Sequence, residues 1–165
     1  QANARGRAAG DALAGRGIGY TKYKNLGCYC AVVADVEVNR VTGALRVVRA
    51  LAAVDAGLAV NPDGVASQIE GGIIQSASWT LKEALPFDRT GVKVRSWAEY
   101  PILRFSEVPA VDVEIIQRPN ERYLGVGEGA QGPAAAAIAN AFANATGRRL
   151  RDIPFTPDRV KAVLA

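Results

Sequence analysis

The sequence contains no histidine. That absence removes Ser-His-Asp and Cys-His catalysis, together with every His-based zinc site. Cysteine is almost as scarce: the two present, Cys28 and Cys30, stand together in "CYC". Side chains two apart share one face of a strand, but two thiols make no standard metal site, and this spacing strains a disulfide. We read them as half-buried strand cysteines. No apolar run approaches the ~18 residues that a membrane-spanning helix requires, and the first residues lack a signal-peptide hydrophobic region. The net charge is +4, yet no basic stripe with interleaved aromatics appears, so no nucleic-acid surface is expected. The densest basic cluster, Arg148, Arg149 and Arg151, follows a predicted helix end, where cations complement the dipole. Acid–base chemistry therefore falls to Asp, Glu, Lys or Tyr.

What is present describes one domain of 165 residues, 49% hydrophobic and 22% charged, long enough to bury a core. It begins at Gln1 rather than Met, which we read as a processed chain or part of a longer one. Residues 1–15, rich in Ala, Gly and Arg, read as a connecting arm, and 16–165 as the domain. "GIGYTKYK" (17–24), "YCAVVADVEVNR" (29–40) and "ALRVVRALAAVDAG" (44–57) read as strands, the last two forming a hairpin about a "VTG" turn. Asn61 as cap and Pro62 in the first turn open a predicted helix over 61–85. Its stripe Val65, Ile69, Ile73 and Ala77 faces a core. Residues 86–109, punctuated by Pro86, Pro101 and Pro109, are mostly irregular, and so long a segment suits function or a partner. "AVDVEIIQR" (110–118) is a fourth strand. Helices are predicted over 133–145, with Gly147 at the C-terminal cap, and over 156–165. The order β-β-β-α-β-α-α is α+β, a small mixed or antiparallel sheet with helices packed on one side.

Two features carry chemistry. The first is the turn "LGVGEGAQGP", where Glu128 sits among Gly125, Gly127, Gly129 and Gly132. Those glycines permit positive φ and close approach of a ligand, and the helix that follows offers free N–H groups to an anion. Glu128 reads either as a first-turn complement to the helix dipole or as a general base. The second feature is a helix stripe, Gln68, Gly72, Gln75 and Trp79. It reads either as an exposed face with a tolerated glycine or as an amide-flanked surface for a flat polar ligand.

Three blocks, "VDAGLAVNPDGVASQIEGGIIQSASWTLKEAL", "YPILRFSEVPAVDVEII" and "LGVGEGAQGPAAAAIANAFANATG", occur in the order of a known family. They resemble the C-terminal part of the molybdopterin-binding large subunit of molybdenum hydroxylases. This is the xanthine dehydrogenase and aldehyde oxidase family, here its isoquinoline and nicotinate dehydrogenase-like branch. The resemblance spans most of the chain and implies a molybdopterin-binding-domain fold. It implies that Glu128 is the active-site base for hydroxylation of an N-heteroaromatic compound or an aldehyde with water-derived oxygen. It places Gln68, within "SQIEGG", on the molybdopterin cofactor, and the backbone N–H groups of Val126 and Gly127 beside it, with no residue ligating metal directly.

The chain departs from the family at Gly129-Ala130-Gln131-Gly132, where many members read Pro-Pro after the glutamate, which leaves the substrate open. The family's upstream Gly-rich and Phe-Arg segments and its iron–sulfur cysteine clusters are missing. The resemblance therefore implies a piece of a split or truncated large subunit sharing a molybdenum–molybdopterin cofactor, in its cytosine dinucleotide form, with a partner chain. Iron–sulfur clusters would sit on another subunit, and a flavin or cytochrome subunit is a further candidate partner. The arm and residues 86–109 are the expected contact surfaces. The compartment stays open between cytoplasm and periplasm. Two other readings remain: a non-catalytic scaffold domain that retains the fold, and a small anion-binding module using Arg122 near the turn.

Overall fold

The computed structural model describes residues 11–24 and 27–165. Four strands form one mixed sheet: β1 (Ala12–Lys22), β2 (Tyr29–Asn39), β3 (Leu45–Asp55) and β6 (Ala110–Ile115), in the order β1-β2-β3-β6. The first three are antiparallel neighbours, and β6 joins β3 in parallel. Between β3 and β6 run helix α1 (Pro62–Leu81), a two-stranded ribbon of β4 (Phe87–Asp88) and β5 (Gly91–Val92), and a 3-10 turn at Phe105–Glu107. Helices α2 (Gln131–Thr146) and α3 (Pro157–Leu164) complete the chain.

β2 shows why the sheet has one covered face. Cys30, Val32, Ala34, Val36 and Val38 are buried, while the residues between them are not. On β3 the buried set changes parity, from Val47 to Ala50, Ala52 and Val54. A register shift accounts for this: Asp35 pairs with Arg49 and Val36 with Val47, which leaves Val48 as an extra residue on β3. Such a bulge restores the apolar side chains beyond it to the core face.

The covered face meets α2 at unusually short range. A Cβ built on Gly15, Gly17 or Gly19 would lie 2.1–2.2 Å from backbone atoms of Ala141 or Pro133. Three alternate glycines on one face of β1 and the Ala-rich inner face of α2 thus let helix backbone rest on strand backbone. Residues 12–15, read from sequence as arm, are therefore the first part of β1; residues 1–10 of that arm lie outside the described residues. Only the start of this strand was missed from the sequence: after Leu13, which packs against the core, the inward positions Gly15, Gly17 and Gly19 carry no side chain to give a pattern.

α1 begins as expected: the Asn61 side chain accepts from the Gly64 N–H, and Pro62 occupies the first turn. Ile69, Ile73 and Ala77 are buried against the sheet and α2. The helix ends at Leu81 rather than 85, with the Lys82 N–H bonded to the Ser78 carbonyl. α2 begins two residues before Pro133, and Gly147 closes it at φ 73°. The fourth strand ends at Ile115, short of 118. Both cysteines are free and fully buried, not half-buried, and Cys28 precedes β2 instead of lying in it. Burial pushes the Cys30 thiol up to about 12 and raises that of Cys28 as well.

At the end of β3, burial works against the Asp55 carboxylate, but the Gly57 N–H and the Arg118 guanidinium, each at 2.9 Å, hold its pKa below the ordinary value. Residues 86–109 lie across the end of α1. Leu103 N–H bonds to Ser78 Oγ at 3.0 Å, Tyr100 donates to Glu83 at 2.9 Å, and Lys82 pairs with Glu107 at 2.5 Å. The segment nevertheless leaves Phe87, Trp97 and Phe105 exposed, the last fully.

Candidate functional site

α1 and the turn ahead of α2 face one another across an open groove of about 540 Å³, within the range of ligand sites. Gln68, Gly72, Gln75 and Ser78 line it from the helix, Leu103 from the 86–109 segment, and Gly127 from the turn. Three of the four stripe residues read from the sequence thus share one surface; Trp79 does not line it. A second depression of about 490 Å³, between Leu85, Val94, Arg95, Ser96, Trp97 and Tyr100, is mainly apolar and holds no side-chain amides. The first is the candidate site because its polar groups converge.

Gln68 and Gly127 meet directly across the groove. A Cβ on Gly127 would come 3.4 Å from Gln68 Oε1, so the amide oxygen lies close against the turn backbone. Gly72 is buried under the turn: a Cβ there would lie 3.5 Å from Ala130 Cβ and 3.7 Å from Gln131 Cγ. Both are ordinary contact distances, so a tolerated glycine and a packing role for Gly72 both remain.

Gln131, which sequence reasoning passed over, ties the two sides together. Its carbonyl accepts from Ser76 Oγ at 2.8 Å, and its amide bonds that of Gln75 at 2.8 Å. Whichever way round two paired amides are assigned, one NH2 group and one oxygen remain free. The Gln75–Gln131 pair therefore presents a donor and an acceptor side by side. A glutamine at the second position before Pro133 was the available signal, hidden because it reads as loop.

The turn itself departs from expectation in one respect. None of Gly125, Gly127, Gly129 and Gly132 has positive φ. Space, not backbone sign, explains the glycine that is buried: a Cβ on Gly129 would fall 2.5 Å from Cys28 Sγ. The turn closes through Gly129 N–H to Val126 O at 3.0 Å and Gln131 N–H to Glu128 O at 3.3 Å. Val126 buries its side chain in the core. Among the described residues, the N–H groups of Val126 and Gly127 have no protein acceptor, and Ala130 caps α2 without a side-chain bond. Those free donors and the positive end of α2 favour an oxygen-rich or anionic ligand.

Glu128 is exposed on this turn and accepts a hydrogen bond from the Tyr23 hydroxyl. The Lys24 ammonium lies 5.1 Å from the Tyr23 ring centroid, and its pKa is raised by Tyr23 first and by Glu128 after it. Gln68 and Gly127 thus share the groove, whereas Val126 turns its side chain into the core and Glu128, the next residue of the turn, does not line the groove and reaches Tyr23 instead. The carbonyl of Arg122, the cation considered for an anion module, packs against Gly57, where a Cβ would lie 2.0 Å away, and the Arg122 side chain is exposed. Among the described residues no group of three metal-ligating side chains occurs.

The structure combines a mixed four-stranded sheet, helices on one face and an amide-lined groove bounded by a glycine turn, a shape able to take a flat polar ligand. The chain belongs to the molybdopterin cofactor-binding domain family, which matches residues 5–109. It is 46% identical over 164 residues to a nicotinate dehydrogenase subunit of Pseudomonas putida, covering 96% of this chain and 14% of that protein. To the beta subunit of isoquinoline 1-oxidoreductase of Brevundimonas diminuta it is 38% identical over 141 residues, covering 86% and 18%. Quinoline 2-oxidoreductase from Pseudomonas putida 86 superposes with a TM-score of 0.76 at 28% identity, over 83% of this chain and 18% of that one. The aldehyde oxidoreductase of Desulfovibrio desulfuricans gives 0.75 at 26% identity, over 84% and 16%. The chain therefore spans less than a fifth of the length of these relatives.

Proposed function

We propose that this chain forms one wall of the catalytic centre of a molybdenum-dependent hydroxylase or dehydrogenase acting on an N-heteroaromatic compound or an aldehyde. The observation that carries the reading is the meeting of Gln68 with Gly127 across the groove, one residue from Glu128. The donor set fits a pterin: a primary amide supplies donor and acceptor together, and the turn supplies free backbone N–H groups. Gln68 would hold the molybdopterin edge, and the N–H groups of Val126 and Gly127 would face the oxygen-rich end of the cofactor. The names of the relatives, which include nicotinate, isoquinoline and aldehyde oxidoreductases, support the substrate class.

The bound cofactor would supply two-electron redox chemistry, with water as the source of oxygen. This chain's contribution is a base. Glu128 Oε2 is engaged by Tyr23, which leaves Oε1 to accept the proton released when the water-derived oxygen is delivered to carbon. Because the chain covers so small a share of its relatives, the rest of the cofactor pocket belongs to a companion part of the large subunit. The cofactor would be the cytosine dinucleotide form, and electrons would leave to iron–sulfur clusters on another subunit, with a flavin or cytochrome subunit beyond. Exposed Phe87, Trp97 and Phe105 make residues 86–109 the contact surface for that companion.

Glu128→Gln tests the reading. In the purified complex it should lower kcat by roughly two to four orders of magnitude, the range of a lost general base, while molybdenum stays bound. Near-normal turnover in that variant would remove Glu128 from the mechanism.

A further inference from the structure

We infer that Tyr23 is a positioning residue that sets the orientation of the Glu128 carboxylate, an inference that rests on reading Glu128 as the base. Two contacts join the β1–β2 connection to the glycine turn. At one, the Tyr23 hydroxyl donates to Glu128 Oε2. At the other, Cys28 Sγ occupies the space a side chain on Gly129 would need. Glu128 and Gly129 are adjacent, so the connection grips the turn on both sides of a single peptide.

The described residues on either side of the connection bond to one another. Tyr23 N–H bonds to Cys28 O at 2.8 Å, and Gly27 N–H to Tyr23 O at 2.7 Å. A Cβ on Gly27 would lie 2.3 Å from that same carbonyl, so Gly27 packs closely against Tyr23. The Tyr23 ring packs partly into the core, and Lys24 covers it from outside. A rigid ring thus presents one hydroxyl to one carboxylate oxygen of an otherwise exposed side chain. The free oxygen is then held in one direction instead of being spread over the rotamers of a surface glutamate. The "CYC" cysteines acquire a use as well: Cys28 is a packing wedge that seats the turn.

The test is Tyr23→Phe in the purified, cofactor-loaded complex, where the ring and its packing are kept and only the hydroxyl is lost. A positioning role predicts a fall in kcat of roughly ten- to a hundredfold, with unchanged KM, molybdenum content and melting temperature. In the Glu128→Gln background the same change should produce no further loss. A second readout needs no turnover: in the cofactor-free complex, carbodiimide-driven amine coupling to Glu128, mapped by peptide mass, should proceed several-fold faster in Tyr23→Phe. Unchanged kcat and unchanged coupling overturn the inference, as does a loss of kcat that tracks lost molybdenum or a lowered melting temperature. If Glu128→Gln is active, the reading of Glu128 as base fails on its own, and the coupling rate still decides whether Tyr23 holds the carboxylate.

Discussion

Gly129 is the residue on which the geometry of the turn depends most sharply. With Cys28 Sγ 2.5 Å from the position its Cβ would take, Gly129→Ala must push either the turn or the loop aside. Overpacking of this kind costs about 1–3 kcal/mol, and thermal unfolding of the complex should show it as a lowered midpoint. Cys28→Ala in the same molecule removes the sulfur and should recover most of the loss; no recovery would mean that the turn is seated by something else. The thiols themselves are inert by construction. Burial raises both and holds Cys30 at about 12, so neither should react with a thiol reagent until the protein unfolds. At this scale the sequence was legible in residue types and less so in reasons. The residue patterns singled out Glu128 and Gln68 without deciding between a structural and a functional role, and it was the family resemblance that gave each its expected role. Gln131 and Tyr23 did not stand out, since each works through a neighbour distant in sequence, 56 residues away for Gln131 and 105 for Tyr23.

β1 and α2 make the element-scale case. Their backbones are in contact because Gly15, Gly17 and Gly19 face Pro133, Ala137 and Ala141. Gly17→Ala should therefore destabilise far more than its single methyl suggests, by at least about 1–3 kcal/mol, and reduce recovery of folded complex. An Arg16→Ala change on the opposite, exposed face of the same strand should have a much smaller effect, since its pair with Asp35 is solvent-accessible. The periodicity of β2, β3 and α1 identified them from the sequence, because their inward positions are filled by Val, Ile and Ala. The beginning of β1 had no such signal: the property that places it in the sheet is the lack of a side chain. α1 stops short at Leu81 for a different reason. Lys82 and Glu83 continue the apolar-to-polar alternation of a helix, but both are drawn into contacts with Glu107 and Tyr100 of the following segment.

Across the whole molecule, the end of β3 is fastened to the strand-following segment by the Asp55–Arg118 pair, with Arg118 also reaching Glu121 at 2.8 Å. Asp55 is held below its ordinary value of 3.8 by Gly57 and Arg118 against the opposing pull of burial. A carboxylate with a depressed folded-state pKa contributes stability that is fully present above its unfolded value and is lost as pH falls through the folded one. The melting temperature of the complex should thus drop below about pH 4, and Asp55→Asn should flatten that dependence while lowering the midpoint near neutrality. The α+β architecture was readable from element order alone. The parallel pairing of β6 with β3 was not, since strand order in a sheet depends on where α1 and the long 86–109 segment return the chain. The most direct check of the account as a whole is the molybdenum content of the native complex, quantified by elemental analysis against the amount of this chain. We expect near-equimolar molybdenum; a complex that contains this chain and no molybdenum would contradict the reading of its groove.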